Sequence, residues 1–296
     1  MIQVVRGIYP EDIRQSGRHV LFVEGIGGDS FNPQIIGELF DRMIRIRPLG
    51  PSYSVKSVAE ALHPFHPTYY FLIDRDYHHN DDFVGRCWDN FPDPATHNLL
   101  VWRYREIENY FLEPDYLAYS DFLVVSRDAL EDKIRRFCQQ RLYLDAANHV
   151  IVSIREELKR NWIQKFTNAS EFSTRDQALA RLHNAEAFKI FKSDVAAATD
   201  KDDIEHRFDD ILNIMTNGSG QLEFGKGKWL EMTQGKKVFL QIVNSECFKV
   251  KDLEGRLLQG KDKISQVAKN LLRKEFAKQP GDFQKLKTLV EDRLNS

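Results

Sequence analysis

The sequence predicts an α/β fold: a mostly parallel sheet with helices on both faces, followed by a largely helical domain. Three observations carry the prediction. Short apolar runs alternate with helix-periodic segments from His19 to Leu112, and this alternation builds parallel sheets covered on both sides. Three of the four apolar runs end beside acidic residues, at Glu24, at Asp74 and at Glu106 to Glu108. Beyond residue 115 the pattern turns helical. The expected division is therefore residues 1–115 for the sheet domain and 116–296 for the helical one, with a Gly/Lys-rich segment at 218–242.

Each element has its own signal. His19-Val20-Leu21-Phe22-Val23-Glu24 is an apolar run entering a turn at Gly25, as a buried strand does. Phe31, Ile35, Leu39, Met43 and Ile46 follow at helical spacing over residues 30–46. Gly50-Pro51 then turns the chain into a second expected strand, Ser52 to Val55, and Lys56 to His63 reads as a helix stopped by Pro64. Tyr69 to Ile73 is a fully apolar strand ending in Asp74, and Asn98 to Trp102 is a further one. In the second part, Thr174 and Gln177 have capping-box spacing. Ile264, Val267, Ala268, Leu271 and Leu272 keep a helical stripe, Pro280-Gly281 breaks it, and Leu286, Leu289, Val290 and Leu294 resume it. Val238 to Ile242 reads as a strand.

Bulk properties exclude several classes. A chain of 296 residues with 42% hydrophobic and 29% charged residues buries a real core and is not a disordered chain. The net charge of −2 excludes a globally basic nucleic-acid binder, although a local basic groove beside an acidic site would cancel in the sum. Cys87, Cys138 and Cys247 are widely spaced, which fits a reduced compartment and no structural zinc. No window approaches a membrane span and the start lacks a leader pattern, so the expectation is a cytoplasmic protein with no membrane association.

The informative chemistry is acidic. Alternate residues leaving a strand point the same way, so Asp74 and Asp76 can aim at one point. If the two strands are neighbours, Glu24 joins them at the same edge, where ligands of parallel sheets collect. Converging carboxylates repel unless protonated or neutralised, and Mg²⁺ suits them because it takes oxygen ligands, water and substrate phosphate together. Either motif alone is more often a solvated turn. Their occurrence in order, each after an apolar strand, is the stronger signal.

Val23-Glu24-Gly25 followed by Ile73-Asp74-Arg75-Asp76 resembles the TOPRIM signature. The segment Trp102-Arg103-Tyr104-Arg105-Glu106-Ile107-Glu108-Asn109-Tyr110 is similar to one in OLD-like TOPRIM nucleases that act with ABC-type ATPases in bacterial anti-phage systems. The likeness covers residues 19–112, and Gly235-Lys236-Lys237 resembles a Gly-Lys segment of the same group. It implies a metal-dependent nuclease, the toxic effector of an abortive-infection system, cutting RNA (tRNA in particular) or DNA. It implies Mg²⁺, with Mn²⁺ as the alternative, held by Glu24, Asp74 and Asp76, with Asp29 and Glu108 as further metal carboxylates. Lys236 would stabilise the transition state. Where the family places a second acid four residues after the glutamate, this chain has Gly28, with Asp29 one step later, so one metal ion and two both stay open. The implied partners are a nucleic-acid substrate, an ABC-type ATPase and a second copy of the chain.

Other readings compete. Gly25-Ile26-Gly27-Gly28 lacks the third glycine of a dinucleotide loop, because position 30 is Ser. An Asp-x-Asp phosphatase wants its pair on the first strand, and an Asp-x-Asp sugar-nucleotide transferase leaves Glu24 unexplained. His78 and His79 are either proton donors or plain loop histidines. Lys226, Lys228, Lys236 and Lys237 around Trp229 are either a backbone-holding loop with a base-stacking aromatic or a solvated hairpin. A non-catalytic binding module and a stand-alone RNA-processing nuclease are the alternative functions.

Overall fold

The computed structural model describes residues 19–28, 30–41, 43–76, 79–91, 97–160 and 169–294. Four strands form one parallel sheet: β1 (Val20–Val23), β2 (Arg45–Pro48), β3 (Tyr69–Ile73) and β4 (Leu99–Val101), in the order β2-β1-β3-β4. Every residue of β1, β3 and β4 is buried, so both faces of these strands are covered, as apolar runs without alternation require. Phe22 pairs with Phe71 in register, and their rings stack at 5.2 Å. The edge strand β2 carries Arg45, Arg47 and Pro48, and an edge is where a sheet tolerates charge and a residue without an N–H.

The helices of the sheet region are α1 (Phe31–Leu39), α2 (Ser52–Leu62) and α3 (Asp81–Asp89). Asn80 caps α3 by accepting from Phe83 N. Two expectations are corrected here. The second strand is Arg45–Pro48, and Ser52 to Val55 open a helix instead. Asp41 at φ 48° ends α1 early, which frees Ile46 for the sheet. Val55 and Ala59 bury one face of α2, and their spacing of four is visible only once the window extends past Val55.

After β4 come two single turns, α4 (Ile107–Tyr110) and α5 (Pro114–Leu117), and the long α6 (Arg127–Arg160). A 3-10 turn over 169–172 precedes α7 (Arg175–His183), α8 (Glu186–Ala198) and α9 (Lys201–Thr216). Thr174 caps α7 as its spacing predicts, accepting from Gln177 N. The chain closes with α10 (Trp229–Met232), α11 (Gly235–Asn244), α12 (Gly260–Leu272) and α13 (Gly281–Leu294). The stripe of α12 is buried as expected; in α13 Leu286 and Val290 are buried, while Leu289 and Leu294 are half-buried and Phe283 joins the buried face. Val238 to Ile242, expected as a strand, lies inside α11, because Val238, Phe239, Ile242 and Val243 bury one helical face while Leu240 and Gln241 are exposed.

The described residues gather into two compact units. One unit combines the described residues up to Arg141 with those from Lys228 onward, and the other holds the described residues between Leu142 and Gly227. The last helices thus belong to the unit that holds the sheet. Among the described residues no helix is long and apolar enough to cross a membrane.

Candidate active site at the sheet edge

β1 and β3 are hydrogen-bonded neighbours, so their carboxyl ends deliver Glu24 and Asp74 to one place. β2 and β3 lie on opposite sides of β1, which makes the β1/β3 edge the point where chain order reverses and a ligand crevice opens. Glu24 Oε1 accepts the backbone N–H of Asp74 at 2.9 Å. Asp76 leaves the same strand end and accepts from Ser52 Oγ at 3.2 Å. Arg75, between the two acids, is turned away. Its backbone N–H reaches Arg105 O, and its guanidinium donates to Arg103 O, His79 O and Asp81.

A lysine from late in the chain completes the cluster. Lys236 Nζ donates to Asp74 Oδ2 at 2.6 Å and lies 3.8 Å from Glu106 Oε1, while Lys236 N donates to Glu106 Oε2 at 2.7 Å. Asn109 secures this approach by donating to Leu230 O and Thr233 O and by accepting from Glu106 N. Gly235 is required at the crossing: a Cβ there would stand 2.2 Å from Asn109 Oδ1 and 2.8 Å from Asn109 N.

Burial sets the electrostatics. It pushes the Glu24 carboxyl up to about 8, with Asp74 and Asp76 adding to the effect and the Asp74 N–H and Lys236 opposing it. Glu108, wholly buried on α4, is also pushed up to about 8 by burial, against the pull of Lys236. Burial raises Glu106 in the same way. For Lys236 burial acts downward, but the charges of Asp74, Glu108 and Glu106 outweigh it and hold the ammonium above the ordinary lysine value.

Among the described residues no three His, Cys, Asp or Glu side chains stand together as a metal-holding group. Glu24, Asp74 and Asp76 therefore do not form a closed cage, and Asp29 lies outside the described residues. The donor set nevertheless fits Mg²⁺, which ordinarily takes only one or two protein carboxylates and fills its octahedron with water and phosphate. Asp74 Oδ1 is a buried carboxylate oxygen with no hydrogen-bond partner among the described residues, as is Glu108 Oε2, and such oxygens are costly unless a cation or donor meets them.

The sequence-predicted residues fare unequally. Glu24, Asp74, Asp76 and Lys236 are brought to the sheet edge. Glu108 lies under it, and His78 is outside the described residues. Trp229 is 1% exposed, so it is a core residue and cannot stack a base, which corrects that reading. Lys228 pairs with Asp81, and Lys226 with Glu223. His79 is a positioning residue: its ring is 7% exposed and accepts from Asp76 N through Nδ1 at 3.1 Å. Ser52, Lys56 and Glu106 were missed. Glu106 stood in the quoted segment, but nothing in the spacing of Ser52 and Lys56 pointed toward Asp76.

No protein-family model matches this chain, and neither curated proteins nor solved structures return a match.

Proposed function

We propose that this chain is a divalent-metal-dependent nuclease of TOPRIM type. The observation that carries the reading is the meeting of Glu24 and Asp74 at the ends of two adjacent parallel strands, with Lys236 on Asp74. Glu24 and Asp74 would hold Mg²⁺, with Asp76 beside them. The ion, when bound, supplies Lewis-acid stabilisation of charge on a phosphoryl group. The protein's own groups do the rest. Lys236 places a fixed positive charge at the same point, suited to the charge that develops on phosphoryl oxygens. Glu24, raised toward neutrality in the metal-free protein, would give up its proton on taking the ion, so metal affinity should rise with pH. Ser52 and His79 hold the Asp76 turn in place.

The role as an anti-phage effector, the preference for RNA and for tRNA in particular, the pairing with an ABC-type ATPase and the homodimer rest on the motif resemblance. Affinity purification from the native host tests the partner: recovery of a stoichiometric P-loop ATPase supports it, and recovery of none removes it. A second reading, a non-catalytic module, is favoured by the Lys236–Asp74 ion pair, which already neutralises one acid of the cluster.

The deciding experiment incubates the purified chain with labelled tRNA, single-stranded RNA and DNA, and duplex DNA in Mg²⁺, Mn²⁺ or EDTA. Metal-dependent cleavage is expected. Glu24→Gln and Asp74→Asn should each lower it by about 10³ or more, without loss of melting temperature, because removing one acid relieves repulsion. Cleavage by these variants at the wild-type rate removes the assignment.

A further inference from the structure

Two lysines stand beside the strand-end acids, and they are held differently. Lys236 is neutralised by Asp74 and Glu106. Lys56 is not. It sits on α2 one turn after Ser52, whose hydroxyl touches Asp76, so the two side chains share a helix face. Among the described residues, the polar contact of its ammonium is with His79 Nε2, at 2.9 Å.

That contact leaves the ammonium without an acceptor. A backbone N–H can only donate, so the 3.1 Å contact from Asp76 N makes His79 Nδ1 the accepting nitrogen. The neutral ring then carries its proton on Nε2, where it meets Lys56 donor to donor. The ring cannot turn away cheaply. It stacks on Phe83 at 5.5 Å, and its own carbonyl accepts two nitrogens of Arg75, at 3.2 and 3.0 Å. Among the described residues Lys56 is thus a cation one imidazole away from Asp76 and ready for an anion.

We propose that Lys56 forms a phosphate subsite of the nuclease centre, taking a backbone phosphate that flanks the bond to be cut. This rests on the nuclease reading. A nucleic-acid strand brings a negative charge with every nucleotide, and Glu24, Asp74 and Asp76 repel it. A lysine with no carboxylate partner among the described residues, one turn along α2 from the serine that touches Asp76, supplies the compensating charge. His79 stands between Lys56 and Asp76, so a phosphate drawn to Lys56 lies one imidazole away from Asp76 and sets the register of the strand over the acids.

The test measures binding apart from cleavage. Anisotropy of fluorescein-labelled oligouridylate and oligothymidylate is followed through a salt series on Glu24→Gln protein, with and without Lys56→Met, and Lys56→Arg serves as the charge-retaining control. Lys56→Met should weaken binding and make the log–log salt slope shallower by about 0.7, the loss of one single-strand phosphate contact. Lys56→Arg should restore both, and all variants should keep the parental melting temperature. In protein with native Glu24, Lys56→Met should raise KM while kcat holds. If the Glu24→Gln protein binds a probe and its affinity and slope do not change with Lys56→Met, the subsite is wrong and the nuclease reading stands. If Lys56→Arg fails to restore the slope, the subsite is likewise overturned. If wild-type protein neither cleaves nor binds either probe, the nuclease reading falls and takes the subsite with it.

Discussion

The unit that contains the sheet and the unit of residues 142–227 bury very different things. The first closes over Trp88, Trp102, Trp229, Phe71, Phe111, Phe239 and Phe283, and it also buries Asp74, Glu106, Glu108, Asn109 and Asp282. The second gathers Val150, Ile154 and Ala198, with Leu158, Phe208 and Ile211 partly buried against them, and α7 buries nothing. Its charges form exposed or half-exposed pairs such as Arg207 with Glu157 and Asp203, and such pairs contribute little to stability. A buried carboxylate is costly, and only a large apolar core can offset several of them in one place. The candidate site is therefore found where the aromatic core is.

The comparison can be broken by substitution. Phe111→Ala removes a ring that stacks on Phe239 at 5.3 Å and meets Phe283 at 5.6 Å, and it should cost about 3–5 kcal/mol. Ile154→Val in the smaller cluster should cost about 0.5–1.5 kcal/mol. Denaturant titration of both variants checks this, and a loss for Ile154→Val as large as that for Phe111→Ala would mean that the second unit is the more tightly packed.

Gly235→Ala should cost about 1–3 kcal/mol, the usual penalty of overpacking. Its Cβ would collide with Asn109 and push α11 away from Glu106. Cleavage should fall with it, because Lys236 moves too. A variant that is destabilised yet cuts at full rate would separate Lys236 from the chemistry.

A smaller effect follows from Glu108. Its folded carboxyl is raised from 4.5 to about 8, so the folded state keeps a proton that the unfolded chain releases. The stabilisation is fully present below about 4.5 and is lost as pH rises through about 8. Melting temperature without metal should fall across that window, and less steeply for Glu108→Gln, so the variant gains most on the wild type near pH 8. Parallel curves would show that Glu108 does not titrate there. The smallest effect belongs to the second unit: Thr174→Ala loses the cap on Gln177 N and should cost about 1 kcal/mol, read by denaturation.

Much of this fold was legible because its signals are local. β1, β3 and β4 announce themselves as unbroken apolar runs, and the stripes of α12 and α13 repeat at helical spacing. Two of the misread segments, 52–55 and 238–242, are four and five residues long. Over so short a window, periods of 2 and 3.6 select nearly the same residues, and only the neighbours that bury Val55 or Phe239 decide between them.

The candidate site divides along the same line. Glu24, Asp74 and Asp76 were visible as acids at the ends of apolar strands, because a strand's burial and its exit are written in consecutive residues. That β1 and β3 are neighbours, so that the acids meet, is a fact of sheet order. Lys236 reaches Asp74 across 162 residues of sequence, and Asn109 holds the segment that carries it across 124. Ser52, Lys56 and His79 became a set only when α2 packed beside β3. The sequence by itself determined which charges the chain owns and which strands they leave. Tertiary structure decided which of those charges face one another, because a contact between distant segments depends on how the sheet is ordered and how the helices cover it, and no local pattern encodes that.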